Sequence, residues 1–177
     1  MKKILFILIM CFVTMTTFAQ NTIKFLGIPV DGTEKEMISQ LESKGFEYYD
    51  SVDGLLGEFN GEDVLIKIQT VNNKVWRLAV VETTLRNEAD VRIHFNNLFR
   101  QFSNNAKYIL LHGNVIDENT DIDYEMIVHN KRYDAVFGFK DETINGNVWY
   151  TLGKNGNDFS IAIFYENNNN AANGDDL

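Results

Sequence analysis

Five apolar residues constrain this chain more than any other feature. Val91, Phe95, Leu98, Phe99 and Phe102 fall at i, i+4, i+7, i+8 and i+11, one stripe at the 3.6-residue period of an α-helix. Burying such side chains is worth about 1.5–3 kcal/mol each, before the entropy of ordering them is subtracted. A lone helix of this length is marginal in water. The stripe therefore requires a partner surface, and the strand-rich remainder of the chain points to a sheet face. Asn87 is placed to cap this helix, with Asp90 in its first turn, where a negative charge suits the helix dipole.

A second helix is expected earlier, over residues 33–44. Thr33 with Glu36 three residues on has the form of a reciprocal capping box. Met37, Ile38 and Leu41 form its apolar stripe, and Gly45 is a natural left-handed stop that lets Phe46 fold back onto Leu41.

Strands are expected at 46–49, 55–59, 64–70 and 75–81. Asn60-Gly61 is a strong two-residue hairpin signal. It pairs Phe59 with Glu62, Gly57 with Val64 and Leu55 with Ile66. Leu55, Phe59, Val64, Ile66 and Ile68 then share one face. After the striped helix come strands at 108–112, 148–152 and 159–166, and a hairpin of 124–129 with 132–139 about Asn130-Lys131. That hairpin puts Tyr124, Met126, Val128, Tyr133, Ala135 and Phe137 on one face. Glu125, Ile127, His129, Arg132, Asp134 and Val136 fall on the other.

The expected fold class is α+β: a helix followed by four antiparallel strands, twice, with both helices on one face of the sheet. Residues 20–166 would form one domain of two pseudo-repeats, 20–84 and 85–166. Val75-Trp76 and Val148-Trp149 would open strands in corresponding places. Residues 167–177, beginning with four asparagines, read as a disordered tail.

The first nineteen residues read as a cleaved signal peptide. Lys2 and Lys3 precede the apolar run Ile4 to Val13, and Thr17-Phe18-Ala19 suits cleavage before Gln20. The run is too short to span a bilayer, which takes about 20 apolar residues, and nothing later is apolar enough either. Cys11, the one cysteine, lies inside the signal. As a lipid-attachment site it would follow bulky Met10 where a small residue belongs, which argues against an anchor. The mature chain would hold no disulfide. The formal charge of −9 becomes two units more negative when Lys2 and Lys3 leave. Such a surface repels nucleic acid and anionic lipid, and suits a soluble periplasmic or secreted protein.

The chemistry-bearing residue types do not assemble into a motif. No serine sits in Gly-x-Ser-x-Gly, and no thiol nucleophile survives export. His94, His112 and His129 are far apart, with no zinc-binding pair. Asp117, Glu118, Asp121, Asp123 and Glu125 are carboxylates of the kind calcium needs, but they lack the Asp-x-Asp-x-Asp-Gly loop and read as a solvated acidic loop. The expectation is a non-enzymatic chain with no catalytic residue, cofactor or metal, since a hydrolase would need convergent acid, base and nucleophile. A protein-binding surface is expected at Trp149, Phe164, Ile127, Val136, His129 and Arg132, aromatic and aliphatic anchors among polar neighbours on the sheet face away from the helices. The same pattern also describes an ordinary amphipathic outer face, and Trp76 reads as core.

The helix–four-strand unit in tandem resembles the β-lactamase-inhibitor-protein-like (BLIP-like) fold, whose single-copy relatives include outer-membrane assembly lipoproteins of the BamE/SmpA type. Gly32-Thr33-x-x-x-Met37-x-x-x-Leu41 is similar to the opening of those domains. The second helix lacks that opening, and the inhibitor's cysteine pair is absent. The resemblance implies a concave sheet that binds another protein, or an envelope assembly factor. The signal followed by Gly27-Ile28-Pro29-Val30-Asp31-Gly32-Thr33 also resembles the start of secreted proteins of Bacteroides-type bacteria.

Overall fold

The computed structural model describes residues 22–171. The signal peptide, Cys11 and the last residues of the expected tail lie outside the described residues. A two-residue hairpin, β1 (Lys24–Phe25) and β2 (Ile28–Pro29), leads into helix α1 (Glu34–Glu42). The Thr33 hydroxyl accepts from Glu36 N–H, and the Glu36 carboxylate accepts from Thr33 N–H at 2.8 Å, so the capping box is closed in both directions. At the other end Phe46 N–H reaches Leu41 O at 3.3 Å and Gly45 N–H reaches Glu42 O at 3.0 Å, with Gly45 at φ +96. That is the double bond of a glycine-stopped helix, and it puts Phe46 into the core. Gly57 must lack a side chain here, because a Cβ would lie 2.5 Å from the Phe46 ring.

Strands β3 (Glu47–Tyr49), β4 (Gly54–Phe59), β5 (Glu62–Val71) and β6 (Lys74–Glu82) follow as an antiparallel meander. The Asn60-Gly61 turn sets the expected register, with Phe59 opposite Glu62, Gly57 opposite Val64 and Leu55 opposite Ile66. Helix α2 (Glu88–Asn104) is capped by Asn87, whose side chain accepts from Asp90 N–H. It buries Val91, Phe95 and Leu98 and half-buries Phe99 and Phe102. Then come β7 (Tyr108–His112), helix α3 (Ile122–Val128), β8 (Asp134–Phe139), β9 (Gly146–Asn155) and β10 (Asp158–Asn167).

Helix α3 corrects the expected hairpin. Residues 124–129 are not a strand, and Val128–Tyr133, Met126–Ala135 and Tyr124–Phe137 are not pairs. Both edges of β8 are taken by β7 and β9, with Phe137 opposite Leu110 and Val148. The segment left over is capped instead by Asp121, which accepts from Tyr124 N–H at 2.9 Å. Ile122 and Met126, four residues apart, turn onto the core.

The main sheet has eight strands in the order β3-β4-β5-β6-β10-β9-β8-β7. The fold is α+β, with helices in the minority. Trp76 and Trp149 do not hold corresponding places: Trp76 opens the fourth strand of the first run, and Trp149 lies in β9, the third strand of the second. One register row crosses the sheet through Ala135, Tyr150, Ile163, Val80, Ile66 and Leu55, all buried. Met37 and Leu41 of α1 and Phe95 of α2 join these residues in one core, so both helices lie on the same face.

The expected tail is also corrected at its start. Asn167 is a strand residue, 1% exposed, and its side chain donates to Val30 O at 2.8 Å. The Asn170 side chain donates to Asp31 at 2.7 Å and to Val75 O at 2.8 Å. These asparagines satisfy backbone groups of the segment around β2 and of β6, which explains why polar side chains end a buried strand.

Candidate binding face

Side chains that alternate away from the core row form the other face of the sheet. Two rows cross it. Val136, Trp149, Phe164 and Ala79 are successive partners across β8, β9, β10 and β6. Asn147, Glu166, Arg77 and Gln69 are successive partners across β9, β10, β6 and β5. Trp149 and Phe164 stack with centroids 4.0 Å apart and planes 14° from parallel. The rings are nearly parallel and closer than the roughly 4.5–7 Å usual for aromatic pairs.

A polar clasp holds the aromatic pair. The Trp149 indole N–H donates to Glu166 Oε1 at 2.7 Å, and Asn147 donates to Glu166 Oε2 at 3.0 Å. Arg77 pairs with the same carboxylate at 2.5 Å. Glu166 is only 8% exposed, so its charge is held where water is scarce and needs these donors. The Arg77 guanidinium lies 3.9 Å from the centre of the Trp76 ring and within 6 Å of Trp149 and Phe164. The β-bulge between β5 and β6 makes this stack possible. Gln69 faces Arg77 and Thr70 faces Val75, which leaves Trp76 as the extra residue. Trp76, read from sequence as core, is instead half-buried beside a cation.

Trp149, Phe164 and Val136 therefore sit together on this face. The other three expected members do not join them. Ile127 is on α3 and 62% exposed. His129 caps the end of that helix and faces Glu125 at 3.2 Å. Arg132 lies in the link before β8, on the rim of a cleft of about 540 Å³ lined also by His112, Asp117, Lys131, Tyr133 and Asp134. The physical reason is the loss of the hairpin, since only strand periodicity had aligned Ile127 and His129 with Val136.

Sequence reasoning missed Arg77, Glu166 and Asn147. Alternation along β6, β9 and β10 places each on the open face, but Arg77 meets Glu166 only because β6 pairs with β10, a strand from the other half of the chain. A second polar group was also missed. Glu82, 4% exposed, accepts from Arg86 at 2.9 Å and shares a hydrogen bond of 2.7 Å with His94. Arg86 also pairs with Glu62 at 2.5 Å. These contacts tie α2 to the end of β6, with both carboxylate oxygens of Glu82 engaged.

Three carboxylates of the acidic loop have partners within the fold. Asp117 accepts from Asn119 N–H at 2.9 Å, Asp121 caps α3, and Asp123 pairs with Lys154. Among the described residues no three or more His, Cys, Asp or Glu side chains are grouped to hold a metal ion. Among them too, no helix is long and apolar enough to cross a membrane. No protein-family model matches the chain, and no match to a curated protein or to a solved structure is found.

Proposed function

We propose that the chain is an exported, non-enzymatic binding protein that holds another protein on the sheet face opposite its helices. The observation that carries this reading is the Trp149–Phe164 stack, clasped by Glu166 and Arg77 on the sheet face away from the core that the described helices cover. Rings held in one orientation before binding lose little entropy on contact. Tryptophan and arginine are also the residue types that most often dominate binding energy. Two halves built as helix-led strand runs and joined at β6 and β10 suit a BLIP-like arrangement, in which a broad sheet is the contact surface.

The test is a pull-down from the native cell envelope with wild type and a Trp149→Ala variant of equal melting temperature. A partner recovered by wild type should be lost or bind at least about tenfold more weakly with the variant, the loss of roughly 1.4 kcal/mol or more. Equal recovery by the two proteins would overturn the assignment of the face.

A second reading, an envelope assembly factor of the BamE/SmpA type, draws on the Gly32-Thr33-x-x-x-Met37-x-x-x-Leu41 opening, which folds as a capped helix feeding antiparallel strands. Mass spectrometry of the mature N-terminus separates the two. A lipidated Cys11 favours the assembly factor, and a free terminus at Gln20 counts against it.

A further inference from the structure

The face that carries the helices is not filled everywhere. Where α2 ends, a cavity of about 190 Å³ remains over β10, between Phe59 of the first half and Tyr108 of the second. Buried Leu98 and Ile163 form its floor, and the Phe59, Phe102 and Tyr108 rings form its walls. Asn60 and Gln101 meet at its exposed rim, their amides 3.3 Å apart.

Tyr165 lines the same cavity and is 6% exposed, yet among the described residues its hydroxyl has no hydrogen-bond partner. The hydroxyl of Tyr108, on the same cavity, has none either. Buried Tyr150, by contrast, donates to Phe95 O at 3.3 Å. The Tyr133 hydroxyl is unpaired as well, but it is sealed in, with no surface open to a ligand. Burial raises the Tyr165 phenol, with Tyr108 adding to the rise, and burial raises the Tyr108 phenol too. Both stay protonated at neutral pH, so each has a proton to give and lone pairs to offer. A buried hydroxyl left without a partner costs free energy, and a guest that brings its own hydroxyl relieves that cost.

Size and charge narrow the guest. A drug-sized ligand takes roughly 300–1,000 Å³, whereas an apolar cavity of roughly 150 Å³ takes benzene. This cavity therefore suits one ring, not two. No charged side chain lines it, so a carboxylate would find no cation there and an ammonium no anion. Aromatic walls favour a ring among them.

We propose that this cavity binds a small uncharged phenol, with its ring among Phe59, Phe102 and Tyr108 and its hydroxyl bonded to that of Tyr165. The site lies on the helix side of the sheet and is independent of the Trp149 face, so either can fail alone.

The test is titration calorimetry of the mature chain with p-cresol, toluene and benzoate. Wild type should bind p-cresol with a Kd below about 1 mM. Toluene, which lacks the hydroxyl, should bind about three- to tenfold more weakly, the worth of one buried hydrogen bond. Benzoate should not bind up to about 5 mM. Tyr165→Phe should weaken p-cresol by the same three- to tenfold or so and leave toluene within about twofold, while Trp149→Ala should change neither. No binding of p-cresol leaves water as the occupant and overturns the proposal. So does toluene or benzoate binding as tightly as p-cresol, or p-cresol binding that Tyr165→Phe leaves intact or Trp149→Ala abolishes. Should Tyr165→Phe unfold the chain, nuclear Overhauser contacts in wild type decide: the cresol methyl must reach Leu98, Phe102 or Ile163, and contacts confined to other residues refute the site.

Discussion

Replacing Phe95 with alanine tests the layered core at its centre. Phe95 is 1% exposed, its ring lies 4.8 Å from that of Tyr150, and its carbonyl accepts from the Tyr150 hydroxyl at 3.3 Å. Removing the ring forfeits its burial and leaves a cavity between α2 and β9. Phenylalanine-to-alanine changes at such sites cost about 3–5 kcal/mol. For a domain of this size each kcal/mol lowers the midpoint by about 2–4 °C, so Phe95→Ala should melt roughly 6–20 °C below wild type. Ile93, on the same helix and 60% exposed, is the internal control: Ile93→Ala should stay within about 0.5 kcal/mol. Calorimetry or circular-dichroism melts of both variants suffice. A Phe95→Ala loss below about 1 kcal/mol, or equal losses for the two variants, would refute the reasoning that one helix stripe clamps the sheet.

Further outcomes follow from single contacts. Gly57→Ala forces a Cβ to within 2.5 Å of the Phe46 ring and should cost about 1–3 kcal/mol by overpacking, read from the urea midpoint. Glu82→Ala leaves Arg86 and His94 facing a vacant buried site and should cost about 2–4 kcal/mol, while Glu58→Ala on the exposed side of β4 should cost little. Burial pushes the Tyr150 and Tyr165 phenols above their ordinary value. Their contribution is whole below about pH 10 and declines as pH rises past that point, so alkaline titration should unfold the protein cooperatively, with the phenolate absorbance of these two buried rings appearing only as it unfolds, after that of exposed tyrosines such as Tyr124. The Thr33 N–H and hydroxyl hold the Glu36 carboxyl below the ordinary carboxylate range. That stabilisation is complete above about pH 4.5 and is lost as pH falls through the lowered value. Glu36→Gln should therefore flatten part of the acid limb of the stability curve, and an unchanged limb would contradict the capping role.

Local chemistry made much of this fold legible from sequence. Thr33 and Glu36 cap α1 through bonds three residues apart, Asn60-Gly61 fixes its own hairpin register, and the α2 stripe declares its face by period alone. Each signal acts over a few residues, so no other part of the chain can overrule it cheaply. The same logic misled at residues 124–129. Tyr124, Met126 and Val128 fit a strand by alternation, while Met126 with Ile122 four residues before it fits a helix, and a short apolar run does not discriminate between the two periods.

The sequence alone thus determined the elements that carry their own punctuation, and which face of β8, β9 and β10 each side chain takes. Only tertiary pairing decided the rest. Pairing of β7 and β9 with β8 excluded residues 124–129 from the sheet and sent Ile127 and His129 elsewhere. Pairing of β6 with β10 brought Arg77 to Glu166 and completed the clasp around Trp149. Partners that far apart in sequence become neighbours only when the whole sheet closes, because hydrogen-bond ladders are satisfied strand by strand and not residue by residue.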